Sequence, residues 1–234
     1  MSEVIFGARP VFEALRSRRR EVFEVFDSSG DGEVARLARE KGVSVKKVSR
    51  KDVDELASGV HQGVAARVAG YPYVSLEEIL NDTEPLVVVL DGVTDPHNLG
   101  AVLRVAEGAG VSGVVIPKDR AATVNATVVK ASAGASEHVK VARVTNLRRA
   151  VDEMKDAGVW TYAAEGGSKT SHTGLDLEGP VALVFGSEGK GVRRLVREGC
   201  DGTVSIPMLG AVSSLNVSVA TAVLLYEARR QRGF

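Results

Sequence analysis

Along the first seventy residues, apolar positions recur in short blocks whose period keeps switching. Residues 10–17, 33–41 and 52–57 carry them at helical spacing, while 21–26, 43–48 and 64–68 are short strand-like runs rich in Val and Phe. The alternation predicts a small α/β unit. Gly70, Tyr71, Pro72 and Tyr73 then break the period, a short helix is predicted at 75–80, and Asp82-Thr-Glu-Pro85 follows. Residues 71–85 therefore read as a linker.

Beyond it come β-branched runs at 86–90, 113–116, 139–144, 159–163, 181–185 and 203–206, with the continuous apolar character of strands covered on both faces. Helical stretches at 98–108, 124–133, 146–157, 192–198 and 213–232 separate most of them, which predicts a parallel α/β sheet. The expected organisation is a small α/β domain over 1–70, the linker, and a larger α/β domain over 86–234.

Composition changes this picture little. With 44% hydrophobic and 26% charged residues the chain can bury a core and solvate a surface, which excludes a disordered tail. A single cysteine, Cys200, forms no internal disulfide, and the first residues lack the apolar core of a signal peptide, so a cytoplasmic location is expected. Residues 202–226 are uncharged, but Pro207 and the scattered Ser, Thr and Asn fit a strand, loop and helix better than a membrane span. No membrane partner is expected.

Thirty Lys and Arg balance thirty Asp and Glu, so no global basic footprint marks a nucleic-acid partner. Charge is clustered locally at Arg16, Arg18, Arg19 and Arg20, at Lys46, Lys47, Arg50 and Lys51, and at Arg229, Arg230 and Arg232. Such clusters suit phosphates or are simply solvated helix ends. The four histidines and one cysteine lack metal-ligand spacing, and no metal is expected.

Two glycine patterns invite misreading. Gly108-Ala-Gly110-Val-Ser-Gly113 spells a dinucleotide fingerprint, but it closes a predicted helix and enters a strand, the reverse of what a pyrophosphate needs. In Gly186-Ser-Glu-Gly-Lys-Gly191, Lys190 is followed by glycine where a phosphate loop needs Ser or Thr. What remains is a glycine-rich turn at the C-terminal end of a buried strand, where open α/β sheets bind ligands. Three segments share that position: Leu90 to Arg104, Val184 to Gly191, and Ile206 to Asn216. Taken singly, Asn98 and Ser214 are equally candidate helix caps and Arg104 a surface partner.

These three segments resemble, in order and spacing, the motifs of the SpoU (TrmH-type) RNA ribose 2′-O-methyltransferases of the SPOUT superfamily, with Asn98-Leu-Gly-Ala-Val-Leu-Arg104, Phe185-Gly-Ser-Glu-Gly-Lys-Gly191 and Ile206-Pro-Met through Ser213-Ser-Leu-Asn-Val-Ser-Val-Ala220 intact. The front end, Phe6-Gly-Ala-Arg-Pro-Val-Phe-Glu-Ala-Leu15 and Gly59-Val-His-Gln-Gly-Val64, is similar to the RlmB-like branch that acts on guanosine of 23S ribosomal RNA. The resemblance implies S-adenosyl-L-methionine as cofactor, an L30e/L7Ae-like RNA-binding domain ahead of a trefoil-knotted catalytic domain, and a homodimer. The partner it implies is RNA, and DNA is not expected. It places Asn98, Arg104, Glu188, Ser214 and Asn216 around the ribose and Gly186, Ile206 and Leu215 against the cofactor. A guanidinium holds its proton, so Arg104 is read as clamping phosphate and orienting the hydroxyl while Glu188 or solvent takes the proton.

Transfer-RNA methylation, a thiostrepton-resistance type of ribosomal site, a non-catalytic RNA-binding protein and a nicotinamide oxidoreductase are the competing readings. The misplaced glycines weaken the last. Leu215, Val219, Val223 and Tyr226 stand at helical spacing, enough for an apolar face turned either to a second subunit or into the domain itself.

Overall fold

The computed structural model describes residues 2–30, 32–57, 59–187 and 189–233, in two compact units. One comprises residues 1–72 with 123–138, the other 73–122 with 139–234.

The first unit runs β1 (Ser2–Phe6), α1 (Ala8–Ser17), β2 (Val22–Asp27), α2 (Glu33–Glu40), β3 (Ser44–Lys47), α3 (Arg50–Leu56) and β4 (Val64–Ala69). Its sheet has the order β1-β4-β2-β3, with β1 and β2 antiparallel to β4 and β3 parallel to β2. β1 is the element that periodicity does not announce. Only Ile5 and Phe6 of its five residues are buried, too few to set a pattern. α3 starts on a capping box in which Ser49 and Asp52 each accept the other's backbone N–H.

The second unit contains α4 (Leu76–Leu80), β5 (Leu86–Asp91), α5 (Pro96–Gly108), β6 (Gly113–Pro117), β7 (Val141–Val144), α7 (Leu147–Asp156), β8 (Trp160–Ala164), β9 (Val181–Gly186), α8 (Arg194–Arg197), β10 (Gly202–Val204) and α9 (Val217–Gln231). Between β6 and β7 the chain contributes α6 (Ala126–Ala131) to the first unit. There Arg20, almost wholly buried, donates Nε to Glu137 Oε2 at 3.0 Å, and Tyr71 donates its hydroxyl to the Ser136 carbonyl at 2.9 Å.

All six strands of the second unit are parallel, in the order β10-β8-β9-β5-β6-β7. Every residue of β5 and β6 is buried, as strands covered on both faces require. From β5 the chain builds outward through β6 to β7, then crosses to lay β8 and β9 on the other side of β5. The strand order reverses at the β5/β9 pair, the place where such sheets open a crevice. Register sets Leu90 beside Phe185 and Asp91 beside Gly186, so two of the three sequence segments leave the sheet side by side.

α5 ends in a Schellman turn, with Gly110 N–H bonded to the Glu107 carbonyl, Val111 N–H to that of Ala106, and Gly110 at φ +60. The glycines at 108–113 thus close a helix, as their order in the sequence implies. α9 differs from its expected start at 213. Residues 213–216 are irregular and the helix begins at Val217, because the Asn216 side chain accepts the Ser218 N–H as N-cap. Ser214, one of the candidate caps, lies two residues outside the cap position. No helix among the described residues is long and apolar enough to cross a membrane.

Candidate functional site

A cavity of about 430 Å³ opens at the C-terminal ends of β8, β9 and β10, within the size range of small-molecule sites. Phe185, Val204, Ile206, Leu215, Val217 and Leu224 give it apolar walls, and the turn Gly186 to Val192 gives it a polar edge. Gly186, Ile206 and Leu215, the three residues assigned to the cofactor, all line it, and so does Ser214.

Gly186 is required by close approach. A Cβ there would lie 1.9 Å from the Gly191 carbonyl carbon and 2.1 Å from the Val192 nitrogen, so the turn folds back directly over the strand end. Gly189 and Gly191 hold the turn open at φ +79 and +65, conformations that residues with a Cβ rarely adopt. Asp91, at the end of β5 and 1% exposed, anchors the far side of the turn. It accepts the Arg193 backbone N–H at 2.7 Å and the Arg193 Nε at 2.6 Å. The turn is thereby fixed to two adjacent strands.

Two more assigned residues meet outside the cavity lining. Asn216 donates Nδ2 to Asn98 Oδ1 at 2.9 Å, joining the first turn of α5 to the start of α9. Asn98 does not cap α5. Asp95 does, accepting the His97 N–H at 2.9 Å, with Pro96 at the first helical position. Arg104 lies exposed on α5 and does not line the cavity. Glu188 lies outside the described residues.

Sequence reasoning passed over Glu165 and Arg197, which both line the cavity and form an ion pair with each other. Glu165 directly follows β8, so the strand-end rule that selected the other segments would have found it. Arg197 sits on the four-residue α8 and had no such signal. Cys200 is half-buried, and burial first, then the nearby Asp201 carboxylate, push its thiol up to about 11. That is an inert thiol. Among the described residues no group of three or more His, Cys, Asp or Glu could hold a metal ion.

A parallel sheet with an apolar cavity at the C-terminal ends of its strands, edged by backbone and glycine, marks a protein built to take a small ligand with polar side chains close by. The model of the SpoU rRNA Methylase family matches residues 85–226, and that for RNA 2′-O ribose methyltransferase substrate binding matches residues 4–74. The chain belongs to the SpoU rRNA methylase family and is a methyltransferase. It is 45% identical over 240 residues to the 23S rRNA (guanosine-2′-O-)-methyltransferase RlmB of Pseudomonas aeruginosa, covering 98% of this chain and 97% of that one. Its identity to the RlmB of Xanthomonas campestris is 47% over 239 residues, covering 97% and 96%. Among solved structures, the SpoU methyltransferase AviRb from Streptomyces viridochromogenes in complex with AdoMet superposes with a TM-score of 0.85 at 26% identity, covering 99% of this chain and 90% of that one.

The family uses S-adenosylmethionine, and the cavity fits it. Apolar walls suit an adenine ring, while the close-packed turn at Gly186 presents backbone to the nucleoside without a competing side chain. No phosphate has to be cradled, consistent with the absence of a phosphate loop in the sequence.

Proposed function

We propose that this enzyme methylates the 2′-hydroxyl of a guanosine in 23S ribosomal RNA, acting in the cytoplasm as a homodimer. The observation that carries the reading is the convergence of the three sequence segments. Asp91 and Gly186 are register neighbours, Gly186 shares a cavity with Ile206 and Leu215, and Asn216 is hydrogen-bonded to Asn98. Relatives at 42–47% identity over nearly the whole chain bear RlmB names, which supports the choice of RNA.

In this reading the first domain, residues 1–70, holds RNA, 71–85 links, and 86–234 carries catalysis, with the segment before α9 threaded as a trefoil knot. The cofactor, when bound, supplies an electrophilic methyl on a sulfonium. Gly186, Ile206 and Leu215 hold that group. Arg104, exposed and outside the cavity, clamps the RNA phosphate with its planar fork and orients the target hydroxyl. Glu188 or solvent accepts the hydroxyl proton. Asn98 and Asn216 brace the two helix starts that flank the ribose, and Ser214 lines the passage between them. Positioning of this kind supplies much of the rate.

The dimer reading rests on α9. Val219 and Tyr226, one apolar stripe on that helix, are 47% and 46% exposed, while Val217, Thr221, Leu224, Leu225 and Ala228 turn inward. About half the surface at these two positions stays accessible, and Leu209 and Val212 in the preceding loop are exposed as well.

The test is transfer of tritiated methyl from S-adenosylmethionine to total RNA from cells lacking the enzyme, followed by mass-spectrometric mapping. A single 2′-O-methylguanosine in 23S RNA is the expected product. Label in transfer RNA, or none with cofactor bound, would replace this reading with one of its rivals.

A further inference from the structure

A second cavity, of about 290 Å³, lies in the first unit, and none of the catalytic assignments uses it. The starts of α1 and α2 both line it, through Ala8 and Arg9 and through Gly32, Glu33 and Val34. Neither helix has a side-chain cap: the N-cap residues are Gly7 and Gly32. Gln62, also in the lining, accepts the Ala8 N–H on its Oε1 at 3.3 Å, and the remaining N–H groups and partial positive charge of the two helix starts still call for hydrogen-bond acceptors.

Set among these donors is a carboxylate. Asp27, the last residue of β2, lines the cavity and is 2% exposed. Its Oδ1 accepts the Ser29 N–H at 2.7 Å and the Ser29 hydroxyl at 2.6 Å, whereas its buried Oδ2 has no hydrogen-bond partner. A buried carboxylate oxygen left unpaired is costly, and because Asp27 itself stands in the cavity lining, a donor entering there would relieve that cost. Phe12 and Val64 supply apolar lining, with the Arg9 guanidinium 5.3 Å from the Phe12 ring centre.

The ligand must therefore be flat, must give an N–H to Asp27, and must offer acceptors to the helix starts. An inorganic anion meets the carboxylate with like charge, and an ammonium meets two positive helix ends. We propose that this cavity holds one unstacked keto base of the substrate RNA. Guanine presents N1–H beside O6, and uracil N3–H between O2 and O4. Adenine N1 and cytosine N3 bring a lone pair to the same place, where it faces the Asp27 oxygen. The first unit thus selects its RNA segment by base identity, separately from the catalytic cavity. This rests on the reading that the first unit binds substrate RNA.

The test uses the full chain and fluorescence anisotropy with adenosine-rich single-stranded 12-mers carrying one central G, U, A or C. Wild type is expected to bind the G or U oligonucleotide about fivefold or more tighter than the A and C ones, the scale of one good base-edge contact. In Asp27→Asn the amide oxygen keeps the Ser29 bonds and the amide nitrogen replaces Oδ2, so the preference should vanish or turn toward A and C. Circular dichroism of that variant, matching wild type, excludes simple unfolding. Equal wild-type affinity for all four, or an unchanged preference in Asp27→Asn, overturns the pocket while leaving RNA binding intact. No binding to any oligonucleotide overturns the RNA-binding reading of the unit as well.

Discussion

Asn216 donates its Nδ2 to Asn98 Oδ1 at 2.9 Å across 118 residues of chain, while its own Oδ1 accepts the N–H and, at 2.6 Å, the hydroxyl of Ser218. One carboxamide thereby caps α9 and ties it to α5. Asn216→Asp keeps the cap and turns the tie into a contact between two acceptors. Methyl transfer should fall with little change in melting temperature. Asn216→Ala loses both, adding a cap loss of about 1 kcal/mol. Calorimetry and single-turnover rates on the two variants separate these effects, and equal melting temperatures for both would count against the cap.

Gly186→Ala places a methyl group onto the backbone of Gly191 and Val192. The turn must shift, and affinity for S-adenosylmethionine should drop about tenfold or more by titration calorimetry, in line with the cost of overpacking a rigid site. Retained affinity would show that the turn does not contact the cofactor.

Arg104 lies exposed on α5 outside the cavity, so Arg104→Lys should leave cofactor affinity unchanged. Methyl transfer should slow by roughly tenfold to a hundredfold, since misplacing a reacting group costs that much. Parallel cofactor titration and RNA methylation assays check the split. Full activity would remove the fork geometry from the mechanism.

Asp201 gives a pH signature. Burial alone would raise its carboxyl, but hydrogen bonds from Lys155 and from the Thr161 N–H and hydroxyl outweigh it and hold the group below its ordinary 3.8. A depressed carboxyl stabilises the fold above its unfolded value and loses that contribution as pH falls through the folded one. Urea midpoints should therefore decline more steeply below about pH 4 in wild type than in Asp201→Asn. Parallel curves for the two proteins would rule the pair out as a source of acid sensitivity.

Val219→Glu tests the α9 stripe. A charge at a 47% exposed position should be tolerated by the isolated subunit but not by an apolar contact between subunits. Sedimentation velocity is expected to show a dimer for wild type and a monomer for the variant, with unchanged helix content. A wild-type monomer would end the dimer reading.

The parallel sheet was legible in the chain because strands buried on both faces must be continuously apolar, and 86–90, 113–116 and 181–185 are. The convergence of two glycine-bearing strand ends was legible too, since such ends meet along one edge wherever the sheet is parallel, and Gly186, Ile206 and Leu215 do share one cavity. Local pattern misplaced the start of α9. Ser213, Ser214 and Asn216 can all cap, and only the tie to Asn98 together with the cavity wall selects Asn216. The unpaired Asp27 oxygen and the Asp91 anchor on Arg193 left no trace at all, and of the Glu165–Arg197 pair only Glu165, just past a strand end, was within reach of the pattern. Each depends on partners brought together from separate elements or on burial. Periodicity reports which face of an element is covered, and so the elements and their sheet could be read along the chain. What covers each face, and which buried polar atom is left without a partner, is a property of the packed chain and emerges only when distant elements meet.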